Sequence, residues 1–423
     1  MNMFRYIAPL FILLLSACVE SVEIEEQETP SLLVVEASLT DEFKTQHVRL
    51  TRSFGFETDT VPTETRALVS VETGQGETYS FSPSADGTYS SDRQFAIVPG
   101  STYELVISTP DGTVYRSDPE ELVGTARIEN LYPIREANTN GTDGVSIYLD
   151  SAPQEGDPTF YRYEYEETYK IIAPNYSSFD FRLTNYNPCT PTPEIEYTLE
   201  IVPRTEEQQV CYNTVPSSSV IQNDATTLST PNIRRFPVRF LGATDFMIRD
   251  RYSILVRQYV QSPAAFSYFQ VLEQFSSSES IFNSVQPGFL NGNIRAVGTV
   301  EAPVIGFFEV SSVSERRLFF NFEDVFPDLE QPPYVTNCGF HSSPEAHLSF
   351  CIDCSLFPPG MCPSPGGTCP QSIVELVALD KISYVDDNAV GIGTCPGPYI
   401  YVERVCGDCT VLGSNIVPEF WIE

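Results

Sequence analysis

The chain has 423 residues, of which 57 are acidic and 24 are Lys or Arg, for a formal net charge of −33, and 41% are hydrophobic. That apolar content suffices for packed cores and excludes global disorder, while the length suggests two domains or three. Lys44, Lys170 and Lys381 are the only lysines and no basic stripe exists, so a polyanion would be repelled and no nucleic-acid partner is expected.

In chain order, the first element is a leader. Arg5 precedes an apolar run from Tyr6 to Leu15, and Leu15-Ser16-Ala17-Cys18 places small residues directly before a cysteine. About ten apolar residues cannot span a bilayer, which needs about twenty. Residues 1–17 therefore read as a signal peptide whose ending resembles a bacterial lipobox, with lipid on Cys18 as the anchor. Residues 18–30 hold Glu20, Glu23, Glu25, Glu26 and Glu28 and end at Thr29-Pro30. Such a segment cannot bury itself and reads as an acidic tether.

Residues 31–122 show short β segments with turn punctuation. Strands are expected at 33–37, 46–50, 67–71, 78–81, 95–98, 103–107 and 113–115. Tyr103, Leu105 and Ile107 alternate so as to share one face. Thr73-Gly74, Asp86-Gly87, Pro99-Gly100 and Asp111-Gly112 mark turns. Seven short strands in about ninety residues predict an immunoglobulin-like β-sandwich. The Arg116-Ser117-Asp118-Pro119 break puts a boundary near 118–125.

Residues 123–423 continue as a larger β-rich domain, with strand-like runs at 128–132, 145–149, 160–172, 236–241 and 252–260. A polar excursion over 174–231, carrying Cys189 and Cys211, reads as loops or a long hairpin. One helix is inserted: Ser262 fits the N-cap, Pro263 the first turn, and Phe266, Phe269, Leu272 and Phe275 recur at helical spacing. The end, 338–409, is rich in Cys, Pro and Gly.

The order of these pieces resembles the DUF4249 lipoproteins of Bacteroidota. The resemblance rests on Leu33-Val34-Val35-Glu36-Ala37, Asp86-Gly87-Thr88-Tyr89, Tyr103-Glu104-Leu105 and Tyr115-Arg116-Ser117. It rests further on Arg257-Gln258-Tyr259, Tyr268-Phe269, Ile281-Phe282-Asn283, Gln286-Pro287, Gly292-Asn293-Ile294, the run Gly306 to Ser312, and Arg316-Arg317. The ending Cys406-Gly407-Asp408-Cys409 through Gly413-Ser414 and Pro418 to Trp421 also looks like the family's terminus. The resemblance implies an outer-membrane lipoprotein whose gene commonly neighbours a SusC-like, TonB-dependent β-barrel receptor. Acidic residues behind the lipidated cysteine of such lipoproteins look like a signal for export to the outer leaflet.

Candidate chemistry is sparse. Removing Cys18 from eleven cysteines leaves ten, an even number outside the cytoplasm, so Cys189, Cys211, Cys338, Cys351, Cys354, Cys362, Cys369, Cys395, Cys406 and Cys409 are candidates for structural disulfides. Cys351-x-x-Cys354 and Cys406-x-x-Cys409 have the spacing of two zinc half-sites, yet more than fifty residues separate the pairs where a zinc ribbon has about fifteen to twenty. No metal or other cofactor is expected, Asp386-Asp387-Asn388 and Glu323-Asp324 being weak calcium candidates. His47, His341 and His347 are the only histidines, and none lies in a catalytic motif. Tyr161, Tyr163 and Tyr165 share one face of a strand, either as a candidate platform for a ligand or partner or as amphipathic rings lining the outer face of a sheet or an interdomain seam.

The expectation is a non-enzymatic, surface-exposed outer-membrane lipoprotein. It would act as accessory to a SusC-like TonB-dependent barrel, capturing ligand or stabilising the assembly. A free-standing glycan- or peptide-binding adhesin is the alternative, and an extracytoplasmic hydrolase a more distant one.

Overall fold

The computed structural model describes residues 31–54, 60–186, 196–228, 232–277, 290, 292–298, 302–346, 371–393 and 396–423. The leader, Cys18 and the tether lie outside them.

The first region forms β1 (Leu33–Thr40), β2 (His47–Arg52), β3 (Leu68–Thr73), β4 (Thr78–Pro83), β5 (Thr88–Ser91), β6 (Thr102–Ser108), β7 (Val114–Ser117) and the short β8 (Glu120–Glu121). Six of the expected strands are here. The seventh, 95–98, is replaced by β5, because Phe95 makes only an isolated bridge to Lys44 while Phe95 and Ile97 plug the core. Alternation works as expected in β6, where Tyr103, Leu105 and Ile107 are all buried.

The second region continues with β9 (Gly124–Ala137), β10 (Asp143–Gly156), β11 (Phe160–Ile172), β12 (Phe179–Thr184), β13 (Thr198–Pro203), β14 (Val210–Pro216), β15 (Ile221–Asp224), β16 (Ile233–Gly242) and β17 (Arg251–Gln261). Then come α1 (Pro263–Ser277), β18 (Ile294–Ala296), β19 (Val304–Ser311), β20 (Val313–Asn321), β21 (Ile382–Asp387) and β22 (Tyr399–Glu403). The Ser262 hydroxyl accepts a hydrogen bond from the Ala265 N–H at 3.2 Å, starting α1 where the sequence placed it. The 174–231 excursion contains the β12–β13 hairpin and then returns to β11 through β14 and β15.

Two strands from far along the chain complete the first sheet. Its order is β18-β7-β6-β3-β4-β5-β2-β1-β19, with β8 beside β6. β19 runs parallel to β1, pairing Leu33 with Val304 through Thr40 with Ser311. Both ends of this order supply the same core: Tyr115 and Ile294 pack with Val304, Phe308 and Val310. The sheet is therefore rolled until its ends meet, and the Asn293 side chain joins them by accepting from the Phe308 N–H at 2.8 Å and donating to its C=O at 2.9 Å. Gly306 allows the close approach, since its φ is +147° and a Cβ there would stand 2.2 Å from the Val35 carbonyl.

Two further sheets, β16-β10-β9 and β14-β11-β17-β20, enclose a second core of Val145, Ile147, Leu149, Ile254, Val256 and the tyrosines of β11. Ser312 separates β19 from β20, so a single run of chain leaves the first sheet and enters the second region's sheet. Its hydroxyl donates to the Gly124 carbonyl at 2.9 Å, tying the two regions where they meet.

Candidate functional site

The β11 tyrosines sit on the inner face. Tyr161, Tyr163 and Tyr165 are 0%, 1% and 9% exposed, the Tyr161 hydroxyl donates to the Pro158 carbonyl at 2.9 Å, and Tyr163 stacks on Phe236 at 4.7 Å. The row shares a face as expected, but that face is the core, so the platform reading and the outer-face reading are both corrected. Alternation in a strand shows which residues lie together, not which side is covered.

The opposite phase of β11 carries the site. Arg162 is 7% exposed at its side chain and Glu309 of β19 is 1%, with Nη2 and Oε2 2.8 Å apart. Arg162 also pairs with Glu164, and its guanidinium lies 4.4 Å from the Tyr259 ring centroid and 4.7 Å from that of Phe269. The second oxygen of Glu309 accepts from Gln261 Nε2 at 2.8 Å, and the Ser38 hydroxyl donates to the first at 3.2 Å. Burial alone would lower the Arg162 pKa; the Glu309 and Glu164 carboxylates outweigh it and hold it above its ordinary value. Both Glu309 oxygens and both Arg162 Nη atoms are thus partnered, while Arg162 Nε is buried without a hydrogen-bond partner; a buried pair of this kind gives little net stability when formed but is costly to break. It fixes β11, β17, β1, β19 and α1 at one point.

Beside this pair lies a half-open cleft of about 660 Å³. One wall is the outward face of β19, β1, β2 and β5, where strand register lines up Phe307, Glu36, Arg49 and Thr88 in a row. The adjacent row holds Glu309 and Ser38, and beyond them His47, which shares a 3.0 Å hydrogen bond with Ser90. Tyr268, Phe269 and Leu272 of α1 form the roof, and Arg162 with Glu164 closes one end. The predicted aromatic stripe of α1 thus packs in part on Phe307 and in part lines the cleft. Burial, then the nearby Glu36 carboxylate, pushes the Tyr268 hydroxyl up to about 12. A smaller cavity of about 270 Å³ lies against Arg162, Glu166, Arg257 and Ser217 to Val220.

Among the described residues, four of the candidate cysteines form two disulfides, Cys211–Cys409 and Cys338–Cys406. Neither half of Cys406-x-x-Cys409 bonds the other; each reaches a distant cysteine, which removes both from a zinc half-site. Cys18, Cys189, Cys351, Cys354, Cys362, Cys369, Cys395 and His347 lie outside the described residues. Among those residues no three His, Cys, Asp or Glu side chains converge as for a metal. Asp324 caps the turn after β20 by accepting from the Asn321 N–H at 2.9 Å, and Asn388 donates to the Gly397 carbonyl at 3.0 Å. His341 lies on Tyr401 with ring centroids 6.0 Å apart. No described helix is long and apolar enough to cross a membrane, which says nothing about β-barrels.

The family model described as a domain of unknown function, DUF4249, matches residues 19–317. The chain belongs to the DUF4249 family. The match contains the cleft residues and ends within β20, so the disulfide-bearing end and the resemblance seen at Cys406 to Trp421 lie beyond it. No curated protein matches the chain. A chain in the solved structure described as manganese lipoxygenase of Gaeumannomyces graminis with partial zonadhesin of Komagataella pastoris is similar at 12% identity. The likeness covers 55% of this DUF4249 chain and 89% of that one, with a TM-score of 0.14, and carries no argument.

Sequence reading missed Arg162, Glu309, Glu36 and Arg49 as site residues. A signal existed for two of them. Arg162 stands on the face opposite the tyrosines, and Glu309 interrupts the apolar run Val304 to Val310.

Proposed function

We propose that this DUF4249 protein is a lipid-anchored binding protein of the outer membrane, facing the cell exterior and working beside a SusC-like TonB-dependent β-barrel, without catalysis of its own. The observation that carries the reading is Leu15-Ser16-Ala17-Cys18 standing fifteen residues ahead of Leu33, where the first strand starts. The fifteen residue steps from Cys18 to Leu33 can reach at most about 54 Å when extended, which keeps the folded part close to the membrane surface. The cleft supports binding as its mode of action. Its buried charges, Arg162 and Glu309, are held by each other and by Gln261 and Ser38, which leaves them structural.

The experiment is fractionation of cells expressing the wild type and Cys18→Ala, with protease added to intact cells. The wild type should sediment with outer membranes and be cleaved on whole cells, and Cys18→Ala should be soluble. Cys18→Ala that still sediments after a carbonate wash, or wild type cleaved only after the outer membrane is permeabilised, would contradict the reading.

A further inference from the structure

We infer that the cleft between α1 and the outward face of the first sheet binds a small dipolar ligand of the amino-acid or short-peptide class through Glu36, Arg49 and an apolar floor. Glu36 and Arg49 are direct cross-strand partners on β1 and β2. Opposite charges so placed ordinarily meet. Here they form no ion pair, and neither side chain has a hydrogen-bond partner among the described residues. Both are exposed on the wall of the cleft. By contrast Arg162 is neutralised by Glu309 and Glu164. The cleft therefore presents one open carboxylate and one open guanidinium, about one strand spacing apart, close to 5 Å.

The row in which they stand gives the orientation. Phe307 lies on one side of Glu36 and Arg49 on the other, and Leu272 of α1 lines the cleft with them. A ligand laid across the strands places an apolar side chain toward Leu272, Val34 and Ile305, which line the cleft and are only partly buried, an ammonium at Glu36 and a carboxylate at Arg49. A cleft of about 660 Å³ is within the range that encloses small ligands, with a largely apolar lining and a few placed polar groups. A saccharide is a poorer fit. Tyr268 and Phe307 are 9% and 6% exposed and Arg162 covers Phe269, so little ring face is open for stacking. A simple anion would meet the Glu36 and Glu164 carboxylates.

The inference deepens the binding-protein reading above by naming its ligand class. Its test uses the purified full-length protein in detergent and needs no barrel, so either can fail while the other stands. The probe is the dipeptide glycyl-phenylalanine, titrated by calorimetry beside its N-acetylated and C-amidated forms and beside a neutral oligosaccharide. The free dipeptide should bind. Amidation and Arg49→Ala should each weaken binding about tenfold, as should acetylation and Glu36→Gln. Amidation should add no further loss in Arg49→Ala, and Leu272→Trp, which fills the cleft, should abolish binding. Circular dichroism checks that each variant is folded. Absence of dipeptide binding at millimolar concentration, binding indifferent to Arg49→Ala and to amidation, or oligosaccharide binding lost in Leu272→Trp would overturn the inference.

Discussion

The rolled first sheet and the cysteine-bearing end both depend on partners far away in the chain, and they secure them differently. The first sheet has no cysteine between 31 and 122; it recruits β18 and β19 through backbone pairing and buried side chains. The end is fastened covalently, Cys409 to Cys211 across 198 residues and Cys406 to Cys338 across 68. The difference follows from what each part can bury. β19 brings Val304, Phe308 and Val310 into a ready core, whereas the described end contributes only a small cluster of Ile373, Ile382 and Tyr401. Small cores need staples.

Independent folding of the first region would contradict this division of labour most severely. A fragment of residues 31–122 loses Ile294, Val304, Phe308 and Val310 from its core. At about 1.5–3 kcal/mol per buried side chain this approaches a domain's whole stability. Urea titration of the fragment should show no cooperative transition. A cooperative one would make β18 and β19 ornamental.

Single substitutions sharpen the point. Phe308→Ala, at a fully buried site, should cost about 3–5 kcal/mol in urea unfolding of the full chain. Glu309→Ala should cost a similar amount because it strands Arg162 in a buried site. R162M/E309M together should cost much less, and a double variant as damaged as Glu309→Ala would show that the pair contributes more than charge satisfaction.

On the covalent side, Cys211→Ser with Cys409→Ser should lower stability by about 2–5 kcal/mol. Their bridge closes 198 residues against 68 for Cys338–Cys406, so its removal should be worse by about 1 kcal/mol in the chain-entropy account. Hydrogen exchange should show that reducing agent loosens β14, β21 and β22 and leaves β1 to β7 protected. Loss of protection in the first sheet would contradict the division of labour.

The smallest expected effect concerns Glu120, at the seam where Asn293 Nδ2 donates to its carboxylate at 3.0 Å. Burial raises its pKa. A raised folded-state pKa stabilises below the unfolded value and is lost as pH rises through the folded one. Glu120→Gln should therefore gain stability over wild type at neutral pH, with the gain fading below the ordinary carboxylate range. A gain independent of pH would assign it another cause.

Local features were legible in the sequence, and long-range ones were not. Tyr103, Leu105 and Ile107 announced a buried face, and Ser262-Pro263 announced the start of α1, because periodicity and capping act within a few residues. The match of Ser38 with Glu309, or of Val35 with Gly306, joins positions some 270 residues apart, and alternation carries no information about partners at that distance. The same limit applies to the β11 tyrosines, whose common face was visible and whose covering was not. The disulfide partners were likewise open, since an even cysteine count fixes no connectivity.

Association at the outer membrane is the central claim, and affinity purification of tagged, lipidated full-length protein from solubilised outer membranes tests it most directly. The account predicts a TonB-dependent β-barrel at near-stoichiometric yield, through an interface that buries more than about 1,000 Å². Recovery of no barrel even after crosslinking would contradict the account, and binding of a glycan array by the protein itself would then favour a free-standing adhesin.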